Sequence, residues 1–461
     1  MKRFSFPLGK PAGSFGNAAR WGVALSAVAL GISASSCLRG PSGPDEGPIR
    51  IAVILPFTGA LASSQDWVKG TRIAVNEINA AGGPIPGRLV ELVEYDSELN
   101  PARSAQLARQ AIDDGAVAII GDGFSGGALA VYRVAGPEHI PTGSCCATST
   151  SLTDVVAAAP ADQRTFFRAT SSDEFQAIVV SDIVLDGPLN DGGLVCNRLA
   201  VLYLQDDYGL PFANDVRDEV ARRRPGLTTT LIPFPPAMMS AARDYEAPVA
   251  ALRASRADCA VAIAYPTEMG FLVRGYLQEP TATPITFIGT DGIQEQALFD
   301  QVGVAQLNDS RLTLYGSAPL SRYAPENLGL ASDNYLRFVD HYRAAYGTYP
   351  PVPYITSSYD IAALMLLGIA QARSTEPEAI TAGVRAVSGP DGVTVSSGRL
   401  AEGLRALQSD PQVRINYDGA AGSVDLDANG DVRGPFEIWG LNEAATAITL
   451  VRPFRESEFT R

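Results

Sequence analysis

The chain has 461 residues, 46% of them hydrophobic, which is enough for two buried cores, and a formal charge of −14 spread along its length. A net acidic surface argues against nucleic acid or anionic membrane as a main partner and leaves small ligands open. The first elements in chain order are a basic stretch (Lys2, Arg3, Lys10, Arg20) and an apolar run from Trp21 to Ile32.

At twelve residues that run is short of the ~20 a membrane-spanning helix needs. Ala34-Ser35-Ser36 then precede Cys37. The arrangement resembles a bacterial lipoprotein signal spanning residues 1–36, departing from it at Ala34 where leucine is usual, and predicts lipidation of Cys37 and export. Residues 37–48, rich in Gly and Pro, read as a flexible tether. Removal of residues 1–36, which hold four basic and no acidic residues, lowers the net charge to −18.

From Ile49 onward short apolar runs alternate with helical periodicity, the pattern of a parallel sheet covered by helices. The series starts with strand IRIAVIL, then a helix from about Gln65 to Ala80 whose Trp67, Gly70, Ala74 and Ile78 share one face, which makes Trp67 a core residue. It continues with strand RLVELVEY, a helix capped by Asn100-Pro101 and running to about Asp114, strand VAIIG, a short helix, strand HIPTGSC, loop CATSTSL and strand TFFRAT. A second series begins near Asp173: a helix to about Leu185, RLAVLYL, loop QDDYGLP, a helix to about Arg224, TTTLIPF, a helix at 245–254, AVAIAYP, a helix at 269–277 and ITFIGTDG. LTLYGSA, two long helices and a hairpin of GSVDLD with GPFEIWGL complete the chain.

In an oxidising compartment Cys145, Cys146, Cys196 and Cys259 have three ways to pair. Cys196 and Cys259 each precede a strand, so they can join the starts of two parallel neighbours. The strain a vicinal ring puts on its peptide favours buried thiols at 145 and 146.

Three motifs attract chemistry. Gly121-Asp122-Gly123-Phe124-Ser125-Gly126 matches a dinucleotide fingerprint, but it follows the third strand, and the next strand ends in Gly143-Ser144-Cys145-Cys146 without the carboxylate that would hold a ribose. Gly123-Phe124-Ser125-Gly126-Gly127 matches a nucleophile elbow. As a serine hydrolase Ser125 would need a histidine, and the two available precede a strand (His139) or sit inside a helix (His341). Asp425 to Asp431 opens like an EF-hand loop, but the twelfth position is Phe436, the ninth is Arg433, and Glu437 is out of register, so no metal is expected there. What survives is position: Ser125 stands where a strand ends and a helix begins, with backbone N–H groups suited to a carboxylate. Thr148, Tyr208, Tyr265 and Asp291 follow other strand ends.

The order and spacing of IRIAVILPFTGA, AVNEINAAGG, YDSELNPARSAQLARQAI, IIGDGFSGG, CCATSTSLT, LQDDYG, AYPTEMG, FIGTDGI and VDLDANGDVRGPFEIW resemble the type I periplasmic binding proteins, specifically the leucine/isoleucine/valine-binding branch, from about Ile49 to Leu441. The resemblance implies an α/β fold of two Rossmann-like, doubly wound lobes joined by a three-stranded hinge. One lobe would comprise 49–170 and 319–431, the other 171–318 and 432–461. It implies a monomeric, non-enzymatic protein without cofactor, anchored by lipid in the periplasm, that binds an amino acid or small carboxylate for an inner-membrane ABC permease. A sensor uncoupled from transport is the alternative.

Carried over residue by residue, Ser125 and the Thr148 backbone would hold the ligand carboxylate. The Thr148 hydroxyl, the Cys146 carbonyl and Asp291 would hold its ammonium group, Tyr208 and Tyr265 would close over it, and Gly292 would permit close approach. The departures are Asp291 where glutamate is usual, a shorter first loop with Ser63-Ser64 in place of an aromatic contact, and Cys146 in place of alanine.

Overall fold

The computed structural model describes residues 47–460 except 60, 62, 63, 193–195, 238–240, 321–331 and 411. The expected export segment, Cys37 and all but the end of the expected tether lie outside the described residues, as does Ser63.

Two sheets organise the described chain. The first contains β1 (Ile49–Leu55), β2 (Val90–Asp96), β3 (Ala118–Gly121), β4 (Thr142–Ser144) and β5 (Phe166–Arg168), all parallel, in the order β2-β1-β3-β4-β5. The second contains β6 (Arg198–Leu204), β7 (Thr228–Phe234), β8 (Cys259–Ile263), β9 (Ile285–Gly289) and β10 (Leu312–Pro319), followed later in the chain by β13 and β14. Its parallel part runs β7-β6-β8-β9-β10, the order of the first sheet repeated. β1, β3, β6, β8 and β9 are almost wholly buried apolar runs, as strands covered by helices on both faces must be. In such sheets ligands bind beyond the carboxyl ends of the strands, where the strand order reverses. Those reversal points lie between β1 and β3 and between β6 and β8.

Between 387 and 454 the chain adds β11 (Val393–Ser396) paired with β12 (Ile415–Asp418), then the antiparallel hairpin of β13 (Phe436–Leu441) and β14 (Ile448–Phe454). This corrects the expected closing hairpin. GSVDLD is not a strand, because Asp427 turns its carboxylate onto the N–H groups of Asn429 and Asp431, a local bond that competes with a ladder. Helices Thr150–Ala158, Pro377–Val387 and Leu400–Ser409 were also not foreseen. The first starts inside the stretch read as loop CATSTSL, where the Ser149 side chain accepts the Ser151 N–H and caps it.

Where the chain crosses between sheets, the crossings bond to one another. Ser171 bridges Val432, the Gly434 N–H donates to Ser171 Oγ at 2.8 Å, and the Leu320 N–H donates to the Pro435 carbonyl at 2.9 Å.

Helix Ile355–Ala372 is apolar and long enough to cross a membrane, yet 89% of it is buried inside the first lobe. Its start packs on helix Ser64–Ala80 at Gly70, where a Cβ would lie 2.1 Å from the Ile355 carbonyl oxygen. Backbone cannot yield as a side-chain tip does. Gly70→Ala should therefore cost about 1–3 kcal/mol by urea unfolding, and an unchanged midpoint would contradict this packing.

Candidate functional site

At the end of β3 the chain turns into helix Ser125–Ala135, whose cap residue Phe124 is extended and supplies no capping side chain. The first N–H groups of that helix are thus left for another acceptor. Ser125 Oγ accepts the Ser149 N–H at 3.3 Å, tying this helix start to the loop after β4. Beneath it Asp122 is fully buried and accepts from Ser104 Oγ at 2.8 Å and the Gly123 N–H at 2.6 Å. Burial pushes its carboxyl up to about 7, against neighbouring hydroxyls that favour ionisation.

The loop after β4 contains the main correction to the sequence reading. Cys145 and Cys146 form a disulfide. The chain bends sharply at both residues as it leaves β4, and this bend brings the adjacent sulfurs together where the strain argument had favoured thiols. Cys196 and Cys259 are also bonded, at the starts of the neighbouring strands β6 and β8. Ser144 Oγ accepts the N–H groups of Cys146 and Ala147 and donates to the Asp122 carbonyl. On the neighbouring strand β5, Arg168, paired with Ser144, is fully buried and holds the loop from behind. Its guanidinium donates to the carbonyls of Ala147 and Ser149, to Thr153 Oγ1 and, at 2.6 Å, to the Asp431 carboxylate.

From the second lobe, Tyr208 follows β6, Tyr265 follows β8 and Asp291 follows β9. The two tyrosine rings stack with centroids 5.8 Å apart. Asp291 accepts from the hydroxyls of Tyr208 at 3.0 Å and Tyr354 at 2.7 Å. A Cβ on Gly292 would lie 2.7 Å from the Ala264 carbonyl and 3.3 Å from the Tyr208 hydroxyl, so only glycine fits beside these groups.

Ser125, Cys146, Thr148, Tyr208, Tyr265, Asp291 and Gly292 all border one cavity between the lobes, together with Trp67, Phe124, Glu295 and Tyr354. The space open to the centre of a water molecule is about 30 Å³, room for about two or three waters. Trp67 is therefore both core and cavity wall, its ring edge-on to Tyr354. His139 faces Asp162, His341 faces Glu77, and neither borders the cavity.

The sequence reading missed Tyr354, Arg168 and Asp173. Tyr354 lies in a loop before a helix, about sixty residues from Asp291, and no local pattern distinguishes it. Asp173 was read only as the start of a helix. Its carboxylate is fully buried beside the Thr148 hydroxyl without a well-formed hydrogen bond. Burial, then the nearby Asp291 charge, holds Asp173 well above the usual carboxylate range. Burial also raises Asp291, opposed by the Tyr354 and Tyr208 hydroxyls. Of the pair, Asp291 is the one whose charged form two tyrosine donors favour, and Asp173 is the more strongly raised.

The site's rim joins the lobes directly. Ser149 Oγ donates to the Asp207 carbonyl at 2.6 Å and Thr150 Oγ1 to Asp215 at 2.9 Å. Burial pushes the Asp215 carboxyl up to about 6; Thr150 lowers it, while Glu174, Asp154 and Asp218 raise it further.

This fold and cleft define the class, a two-lobed solute-binding architecture with its site between the lobes. The family described as periplasmic binding protein matches residues 48–420, and the chain belongs to it. The chemotactic signal transduction system substrate-binding protein BasB of Halobacterium salinarum is 25% identical over 395 residues, covering 83% of this chain and 84% of that protein. The Leu/Ile/Val-binding protein homolog 8 of Brucella abortus is 25% identical over 376 residues, covering 81% and 88%. Among solved structures the leucine-binding protein LivK of Thermotoga maritima superposes with a TM-score of 0.69 at 20% identity, over 89% of this chain and 99% of that one. LivJ of Streptococcus pneumoniae, solved in complex with isoleucine, gives 0.66 at 20% identity, over 88% and 99%. The type I fold and the likeness to the leucine/isoleucine/valine-binding branch are thereby established.

A raised carboxyl binds its proton more tightly in the folded protein than in the unfolded chain, where aspartate titrates near ~3.9. The ionised Asp215 is thus a cost present above pH 6 that fades as pH falls toward 4. Asp215→Asn should melt above wild type at pH 7, with the difference shrinking toward pH 4. A pH-independent difference in thermal melts would contradict this placement.

Proposed function

We propose that the protein is an extracytoplasmic solute-binding protein that captures an amino acid, or a related small carboxylate, by closing its two lobes. The observation that carries this reading is that one cavity is bordered by a helix start with free N–H groups and by the Asp291 carboxylate. The helix-start N–H groups and the Ser125 hydroxyl would suit a carboxylate. Asp291, with the Cys146 carbonyl and Thr148 hydroxyl as the resemblance implies, would suit an ammonium group. A zwitterion satisfies both sets at once, and each would be costly to bury alone. Tyr208, Tyr265, Asp291 and Gly292 come from the second lobe, so the ligand contacts both lobes and its differential affinity for the closed form drives closure. In this reading the lobes comprise 49–170 with 319–431, and 171–318 with 432–461.

Delivery to an inner-membrane ABC permease is the first biological role we assign, supported by relatives named as a Leu/Ile/Val-binding protein homolog and a leucine-specific-binding protein. A sensing role is the second, because one relative is named for chemotactic signal transduction. Deleting the gene and measuring amino-acid uptake and chemotaxis separates the two.

Thermal melts against the common amino acids and small organic acids should show stabilisation by at least one. Ser125→Ala should then weaken that ligand about tenfold and Asp291→Asn about ten- to hundredfold by titration calorimetry. Undiminished affinity in both variants would remove these residues from the site. The sequence also supports a lipid anchor at Cys37. Cys37→Ser should move the protein from the detergent-rich to the aqueous phase in a detergent partition, and unchanged partitioning would rule the anchor out.

A further inference from the structure

Asp122 is a fully buried carboxyl at the foot of the cavity: Gly123, which follows it, and Ser125, at the helix start, both border that space. Its carboxyl is enclosed by several elements. The Gly123 N–H donates to Oδ1 at 2.6 Å, and the hydroxyl of Ser104, on helix Pro101–Asp113, lies 2.8 Å from Oδ2. The buried Ser97 hydroxyl, just after β2, also faces it. A Cβ on Gly127, in the first turn of helix Ser125–Ala135, would lie 2.8 Å from the Asp122 Cβ. Ser144, ending β4, donates to the Asp122 carbonyl at 2.7 Å.

The charged groups at this corner are acids, or are engaged elsewhere. Asp96, ending β2, raises Asp122 by its like charge and itself accepts from the Thr58 hydroxyl at 2.7 Å. Arg103 donates to the Asp96 carbonyl and pairs with Glu98. From the second lobe, Asp207 faces the same helix start, where a Cβ on Gly126 would lie 3.4 Å from its Oδ2. Among the described residues no cation pairs with Asp122.

The hydrogen bonds around Asp122 suit both of its protonation states. The Ser104 hydroxyl has one proton and two acceptors within reach, Asp122 Oδ2 at 2.8 Å and the Asn100 carbonyl at 3.0 Å. With Asp122 ionised, the hydroxyl donates to it. With Asp122 protonated, Oδ2 donates to Ser104 Oγ and the hydroxyl turns to Asn100. A proton can therefore be gained or lost here without moving a heavy atom.

We infer that Asp122 couples ligand binding to proton uptake: a carboxylate held at the start of helix Ser125–Ala135 is accommodated with Asp122 neutral, so affinity falls as the solution turns alkaline. This rests on the reading above, in which the ligand carboxylate sits at that helix start. Two anions at one helix terminus repel, and the one without access to water is the one that takes a proton. Burial already brings Asp122 to about 7, so the ligand-free protein divides between the two forms near neutral pH. Ligand favours the protonated form, and by reciprocity the protonated form binds ligand more tightly. Below about pH 6 Asp122 is already neutral and the effect fades. Asp291 and Asp173 act with the opposite sign, because losing a proton there strengthens the hold on an ammonium group.

The test titrates the protein by calorimetry with whichever of the twenty common L-amino acids, acetate or benzoate gives it the largest melting shift. Wild type should bind about five- to tenfold more weakly at about pH 8.5 than at about pH 6. In buffers of different ionisation heat at about pH 8 it should take up about half a proton or more per ligand bound. Asp122→Asn, neutral at every pH, should keep the low-pH affinity across the range and take up less. Ser104→Ala removes a donor that favours the ionised form, so the fall in affinity should move to higher pH. That variant decides the matter should Asp122→Asn fail to fold. Equal wild-type affinity at the two pH values, an equal fall in Asp122→Asn, or an unmoved fall in Ser104→Ala overturns the inference and leaves the carboxylate reading standing. Absence of any melting shift across the whole panel overturns the ligand reading itself, and this inference with it.

Discussion

A buried cation, Arg168, ties the last crossing between the sheets to the loop beside the cavity. It ends β5, has no exposed surface, and spends its donors on Asp431 in the last crossing, on Thr153 in the following helix and on the two carbonyls that flank Thr148. An isolated guanidinium in such a place would be prohibitively costly, so the pair with Asp431 is obligatory, and removing either partner strands a buried charge. The geometry that satisfies Arg168 is also the geometry that presents Thr148 to the cavity. Stability of the crossing and shape of the loop beside the cavity are thus one constraint.

The electrostatics of the cleft follow from that arrangement. Arg168 pairs with Asp431 and does not border the cavity, to which Ser125 and Thr148 contribute backbone dipoles and hydroxyls. Asp291 borders the cavity, and burial raises both it and the nearby buried Asp173. Tyr354 reaches from the first lobe to Asp291 of the second, and Ser149 and Thr150 reach to Asp207 and Asp215. These contacts tie the two lobes together at the cleft.

Much of the architecture was legible because it depends on local regularities. Unbroken apolar runs such as IRIAVIL and AVAIA are what a two-sided sheet demands, and Asn100-Pro101 caps its helix as the pattern implies, with Asn100 Oδ1 accepting the N–H groups of Ala102 and Arg103. Residues directly after strands were legible for the same reason, since the carboxyl edge of a parallel sheet converges on one place. Ser125, Cys146, Thr148, Tyr208, Tyr265, Asp291 and Gly292 meet there. Local bonding also misled. Helix Thr150–Ala158 begins in a run of serines and threonines that reads as loop, and the acidic turn at Asp427 replaced an expected strand.

By itself the sequence determined the parallel parts of the two sheets, the buried helix faces and the strand ends that meet at the cleft, because each is set by the period and polarity of neighbouring residues. Only the tertiary structure decided the partners that lie far apart along the chain. It set Tyr354 on Asp291 and Arg168 on Asp431, left Asp173 buried beside Thr148, and brought Trp67 to the cavity wall. It also decided the bond between Cys145 and Cys146, because whether adjacent sulfurs meet depends on the bend the chain takes as it leaves β4.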